Sequence, residues 1–136
     1  LANVMKTHIY SAFSTLKIGI DLLKENEDIE IHSIYGHGGI FKTKKVAQTF
    51  LAAAMQSPVS VMQTASEGGA WGIAVLARYL VAENDVNLSS YLNEIAFKDT
   101  ESIKIKPNEK EIESFNRYIE RFKKGLPIER LANEQL

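Results

Sequence analysis

From residue 2 to about residue 25 the apolar positions recur at three- and four-residue steps: Val4, Met5, Ile9, Ala12, Phe13, Leu16, Ile20 and Leu23, with His8 on the same face. That period marks one side of a long helix. Glu25-Asn26-Glu27-Asp28 is a polar stop. Ile29, Ile31, Ser33 and Tyr35 then alternate with Glu30, His32 and Ile34. Ile34 interrupts the polar series, so the pattern predicts a largely buried strand over 29–35. Gly36-His37-Gly38-Gly39 ends it.

A second helix is expected from Thr43 to about Gln56, with Val46, Phe50, Leu51 and Ala54 facing a core; Ser57-Pro58 breaks it. Val59 to Gln63 is short and β-branched enough for a second strand. Ser66-Glu67-Gly68-Gly69 turns into a third helix, carried to about Ala82 by Trp71, Ile73, Ala74, Leu76, Ala77 and Leu80. Helix–strand–helix–strand–helix of this kind argues for α/β layering, with strands joined by crossover helices. After it comes a tail of different character. Leu88 to Phe97 is amphipathic, Ile103 to Lys106 is a brief extended piece before Pro107, and Glu109 to Phe122 places Ile112, Phe115, Ile119 and Phe122 on one face of a docking helix. Gly125-Leu126-Pro127 is expected to stop that helix. The division is an α/β core over 1–82 and a helical tail over 83–136.

Composition narrows the function. Sixteen Lys and Arg against seventeen Asp and Glu leave a net charge of −1, which offers no electrostatic case for nucleic acid or an anionic membrane. The apolar fraction of 45% and charged fraction of 24% are those of a folded domain, not a disordered chain. With no Cys, disulfides, thiolate metal sites and cysteine nucleophiles are excluded, and a reducing, cytoplasmic setting is the expectation. The chain opens at Leu1 directly in helical pattern, so it is expected to be a piece of a longer protein.

The candidate chemistry centres on the glycine cluster. Glycine lets a backbone turn sharply and lets a flat ligand approach without a Cβ in the way. The helix start expected just beyond it would present unpaired N–H groups and a positive dipole end to phosphate. An ordinary strand-to-helix turn explains the same residues, and spacing alone leaves both readings open. The dinucleotide fingerprint is excluded because Phe41 stands where its third glycine belongs, and a P-loop because no Gly-Lys-Ser/Thr follows. His8 reads as a core or boundary histidine, and Tyr10 and Phe13 as core. His32 and His37 lack the carboxylates that would complete a metal site. Lys42, Lys44 and Lys45 read as a solvated first helical turn, with phosphate contact the rival reading. Trp71 reads as packing, with stacking on a base the rival.

Residues 36–80, GHGGIFKTKKVAQTFLAAAMQSPVSVMQTASEGGAWGIAVLARYL, resemble the FGGY family of carbohydrate kinases in order and spacing. The carriers are Gly38-Gly39 after a strand, Thr43 four positions on, Gln48, Ala52 or Ala53, Pro58-Val59, and a Glu67-led helix through Gly72 to Ala77. The likeness covers most of residues 4–82. More weakly, YLNEIAF and FKKGLPIERL look like the end of pentulose kinases of the ribulokinase and xylulokinase type. His37 departs from the family's usual Gly or Asp, and Trp71 from a smaller aliphatic.

The resemblance implies an ATP-dependent kinase of the actin-like ATPase superfamily, with two ribonuclease-H-like domains closing over a cleft. This chain would be the C-terminal part of the second. It implies adenosine contacts at Gly38, Gly39, Ile40 and Thr43, a Glu67–Ala77 helix packed between domains, and Mg²⁺ bound mainly by other parts of the enzyme. The catalytic Asp and sugar pocket belong to the N-terminal domain of such kinases. Asp21, Asp28, Asp85 and Asp99 stand in helix-surface or loop settings and match no catalytic context. The implied substrates are ATP and a ketopentose such as ribulose or xylulose, and a homo-oligomer is expected. The rival expectation is a non-enzymatic α/β module that associates through an uncovered sheet.

Overall fold

The computed structural model describes residues 1–27, 29–82 and 86–135. Asp28 of the expected polar stop and Asp85 lie outside them. Helix α1 spans Ala2–Asn26, α2 Val46–Met55, α3 Gly68–Val81, α4 Leu88–Tyr91 and α5 Glu109–Glu134. Strands β1 (Ile34–Gly36), β2 (Val59–Met62) and β3 (Ser102–Ile105) form one sheet in the order β1-β2-β3. β1 and β2 are parallel, with Ile34 opposite Val59, and α2 is their crossover. β3 runs antiparallel to β2, with Val61 opposite Ile103. The expected α/β alternation is therefore present. No helix among the described residues is long and apolar enough to cross a membrane.

The expected strand over 29–35 is corrected to three residues. β2 begins only at Val59, just after Pro58, so β1 has ladder partners from Ile34 onward. Ile29 to Ser33 are mostly exposed and form no ladder. The brief extended piece near Ile103 is a true strand, because β2 offers it a free edge.

Helix α1 buries only part of the expected stripe, with Tyr10 and Phe13 in the core as expected and Ile9 and Ile20 packed against it. Tyr10, Phe13 and Ser14 face the core, whereas Val4, Met5, His8, Leu16 and Leu23 are exposed. The helix is apolar on more than one side, so its neighbours decide which side is covered. Tyr10 decides it in favour of α5. Its ring meets Phe50, Phe115 and Tyr118 edge-on at centroid distances of 5.5, 5.1 and 5.4 Å. Such pairs are favoured by the ring quadrupole, and aromatics bury the most area per residue.

The Tyr10 hydroxyl donates to Glu111 Oε2 at 3.0 Å, and Lys6 Nζ donates to the same oxygen at 2.7 Å. Burial pushes the Glu111 carboxyl up, but these two donors and the Lys6 charge outweigh it and hold the carboxyl below its ordinary value. Burial pulls Lys6 down, yet its hydrogen bonds to Glu111 and Tyr10 leave it raised. Burial raises the Tyr10 phenol.

Helix α2 is the centre of the core. Ala47, Gln48, Leu51, Ala52, Ala53, Ala54 and Met55 are all buried, while Val46, an expected core residue, is exposed. Its alanines let helix and sheet approach closely. Gln48 is buried, and its Nε2 donates to Val59 O at 2.8 Å and Ile103 O at 2.6 Å. The helix ends with Gln56 in the left-handed region and a bond from Ser57 N to Ala52 O, a Schellman-type stop just before Pro58.

Helix α5 is capped by Asn108, whose side chain accepts from Glu111 N at 3.2 Å, and carries Glu109 and Glu111 in its first turn. Phe115 and Ile119 are buried on the expected face. The expected stop at Gly125-Leu126-Pro127 does not occur, because α5 continues to Glu134. Proline removes one N–H and crowds the carbonyl four residues back. That carbonyl, on Lys123, lies on a solvated stretch where water can satisfy it, and good helix formers follow from Glu129 to Ala132.

Candidate functional site

The turn after β1 is built by close approaches. A Cβ on Gly36 would sit 2.6 Å from Cζ of Phe41, so the ring closes over bare backbone. Gly38 has φ +98°, a conformation that side-chain-bearing residues rarely adopt, and its N–H donates to Ala65 O at 2.7 Å. Gly39–Phe41 form a single 3₁₀ turn, closed by Phe41 N to Gly38 O at 3.0 Å. The leading amides of such a turn, at Gly39 and Ile40, have no partner inside it. A Cβ on Gly39 would meet nothing within 4 Å.

The expected site residues lie on this turn and just after it. Gly39, Ile40 and Thr43 are exposed and Gly38 is half-buried. One part of the expectation is corrected: α2 does not begin at Thr43. The 3₁₀ turn intervenes, Lys45 takes a left-handed φ of 68°, and the helix starts at Val46. The dipole end of α2 is therefore not continuous with the Gly-Gly turn.

A cavity of about 530 Å³ adjoins the turn, walled by Phe41, Lys42, Lys44 and Lys45, by Gln48 of α2, and by Glu101 before β3. None of Gly38, Gly39, Ile40 and Thr43 lines it. The signal for its floor in the sequence was the Ile103–Lys106 piece, whose place beside β2 only pairing reveals. A smaller cavity of about 160 Å³ lies beside Gly36 and His37, walled also by Met62, Trp71 and Phe97. Trp71 packs on Phe97 with ring centroids 5.0 Å apart, which gives it the packing role expected.

The second turn, Ala65–Glu67, is 3₁₀ and leads directly into α3. It is tied to the first by the Gly38–Ala65 bond and by Lys42 Nζ to Glu67 Oε1 at 3.2 Å. Helix α3 itself has no buried residue, and Ile73, Leu80 and Val81 are largely exposed.

The family model for the FGGY family of carbohydrate kinases, C-terminal domain, matches residues 1–81, from α1 to the end of α3. The chain belongs to the FGGY family of carbohydrate kinases. No curated protein and no solved structure matches it. Membership leaves the non-enzymatic module without support. The match ends before β3 and α5, yet these supply an edge strand and the buried Phe115 and Ile119 to the same core as the FGGY segment.

Among the described residues neither Asp21 nor Asp99 of this FGGY chain stands at the turn. Asp21 pairs with Lys17 along α1, and Asp99 lies in an exposed turn. Among the described residues no group of three or more His, Asp or Glu is placed to hold a metal. The turn offers bare backbone, two leading amides without a partner inside it, and nearby lysines.

Proposed function

We propose that this chain is the nucleotide-holding part of an ATP-dependent sugar kinase, with the adenosine end of ATP against Gly38, Gly39, Ile40 and Thr43. The observation that carries the reading is the open space over Gly39, on a turn whose backbone is pinned by the Gly38–Ala65 bond. A flat base and ribose can lie on such a surface without displacing a side chain. Phosphoryl transfer rests on positioning and electrostatic stabilisation. On this reading the chain supplies positioning, and the carboxylate base and sugar pocket belong to the rest of the enzyme. The residues at the turn do not fit Mg²⁺, since residues 36–43 include no carboxylate and Glu67 of the second turn is paired with Lys42.

The proposed acceptor is a hydroxyl of a ketopentose, ribulose or xylulose, supported by the likeness of YLNEIAF and FKKGLPIERL to the ends of pentulose kinases. The proposed setting is cytoplasmic, and the exposed apolar residues of α1 and α3 support self-association of the chain on its own. The full-length protein is to be assayed with ATP against ketopentoses, ketohexoses, polyols and aldonates. Selective turnover of a ketopentose is the expected result. Turnover confined to another class overturns the pentulose reading, and ATP-independent behaviour overturns the kinase reading.

A further inference from the structure

His37 stands one residue before the Gly-Gly pair, and its ring reaches across to the first residue of α3. A Cβ on Gly68 would sit 2.6 Å from His37 Nδ1 and 3.5 Å from its Cγ and Cε1. Alanine is the better helix former, so glycine at the first position of α3 is not explained by the helix. Gly68 has an ordinary right-handed backbone, with φ −54° and ψ −36°, so a turn does not explain it either. The imidazole offers a reason: although exposed to solvent, it lies over the bare backbone of Gly68, where a Cβ would displace it.

Two further contacts join the same pair of turns, from Gly38 N to Ala65 O at 2.7 Å and from Lys42 to Glu67 at 3.2 Å. The ion pair is exposed at both ends and contributes little. The Gly38–Ala65 bond and the Gly36–Val61 pairing of the ladder hold the backbone of the turn. The His37–Gly68 contact adds a side-chain link from the turn to the first residue of α3.

We propose that His37 is a positioning residue: seated on Gly68, it locks the Gly36–Phe41 turn to the start of α3 and so presents the turn to the nucleotide in one orientation. The proposal rests on the reading of Gly38–Thr43 as the nucleotide contact. His37 itself touches no substrate in this account, and its loss acts through the turn.

The test is a cycle in the full-length enzyme: wild type, His37→Ala, Gly68→Ala and the double variant, with KM for ATP, kcat and sugar KM read for each. Each single change is expected to raise the ATP KM by about threefold or more with kcat within about twofold, and the double is expected to be no worse than His37→Ala alone. Multiplicative effects, or an ATP KM untouched by His37→Ala, overturn the proposal. If Gly68→Ala does not fold, recovery of folded protein on adding His37→Ala supports the contact, and failure to recover overturns it. Gly39→Val serves as the reference. If it raises the ATP KM while the cycle shows no coupling, the positioning role alone falls. If it leaves the ATP KM unchanged, the nucleotide reading falls, and the 37–68 contact is then read from coupling in the melting temperatures.

Discussion

The side-chain amide of Gln48 donates to the carbonyl of Ile103 at 2.6 Å and so joins a helix inside the FGGY match to a strand outside it. The same nitrogen donates to Val59 O at 2.8 Å, so one buried group ties α2 to both β2 and β3. A buried amide of this kind is costly to remove, because both its carbonyl partners lose a donor. Gln48→Met keeps the volume and deletes the donor. It is expected to destabilise the chain by about 1–3 kcal/mol in urea unfolding, with the m-value unchanged.

Gly39→Val tests the nucleotide surface at a position where an added Cβ meets nothing within 4 Å. In the full-length enzyme it is expected to raise the ATP KM at least about tenfold, or ~1.4 kcal/mol. The melting temperature without nucleotide should stay near that of the wild type. An unchanged ATP KM in a folded variant removes the adenosine assignment.

The Lys6–Glu111–Tyr10 cluster makes stability depend on pH in a defined direction. Glu111 is held below its ordinary value of 4.5 in the fold. A lowered carboxylate stabilises the fold above its unfolded value, and that stability is lost as pH falls through the lower folded value. Lys6 is raised above 10.5, so its share is present below that value and lost as pH rises through the folded one. Glu111→Gln is expected to cost about 1–2 kcal/mol at pH 7 and to flatten the acid limb of the stability curve below pH ~4.5. Denaturant melts from pH 3 to 7 check it.

Helix α5 has two halves with different duties. Phe115 is fully buried in the first, so Phe115→Ala is expected to cost about 3–5 kcal/mol in global stability. Beyond Phe122 no described residue is buried, and Pro127 interrupts the hydrogen-bond ladder. Pro127→Ala should slow amide exchange around 123–131, by up to ~3 kcal/mol of local protection. The global melt should scarcely move.

The 136-residue chain on its own is expected to self-associate at micromolar concentration. Leu80 and Val81 are each 81% exposed and Ile73 70%, on a helix with no buried residue. Light scattering should show a dimer or larger. Leu80→Glu with Ile73→Glu should shift it toward monomer, and an unaltered size distribution would place the contact elsewhere, α1 being the next apolar surface.

Much of this was legible without coordinates, for local reasons. The α1 and α2 periods, the parallel strands they imply, the Gly-Gly turn and the Phe115–Ile119 face all depend on neighbours within one helical turn or one strand. The Gly38-Gly39, Thr43, Gln48 and Pro58-Val59 series was enough to name the family, because order and spacing survive in a linear chain. Where the sequence fell short, the deciding partner lay far along it. β1 is three residues long because β2 starts at Val59. The Ile103 piece is a strand because β2 has a free edge, and the covered side of α1 is set by Glu111 and Phe115, about a hundred residues away. Gly36 and Gly68 look like turn residues in the sequence, yet the fold uses them as bare backbone under Phe41 and His37. Local propensity determines which elements form; only the tertiary packing decides which faces they bury and which glycines lie under a neighbour's ring.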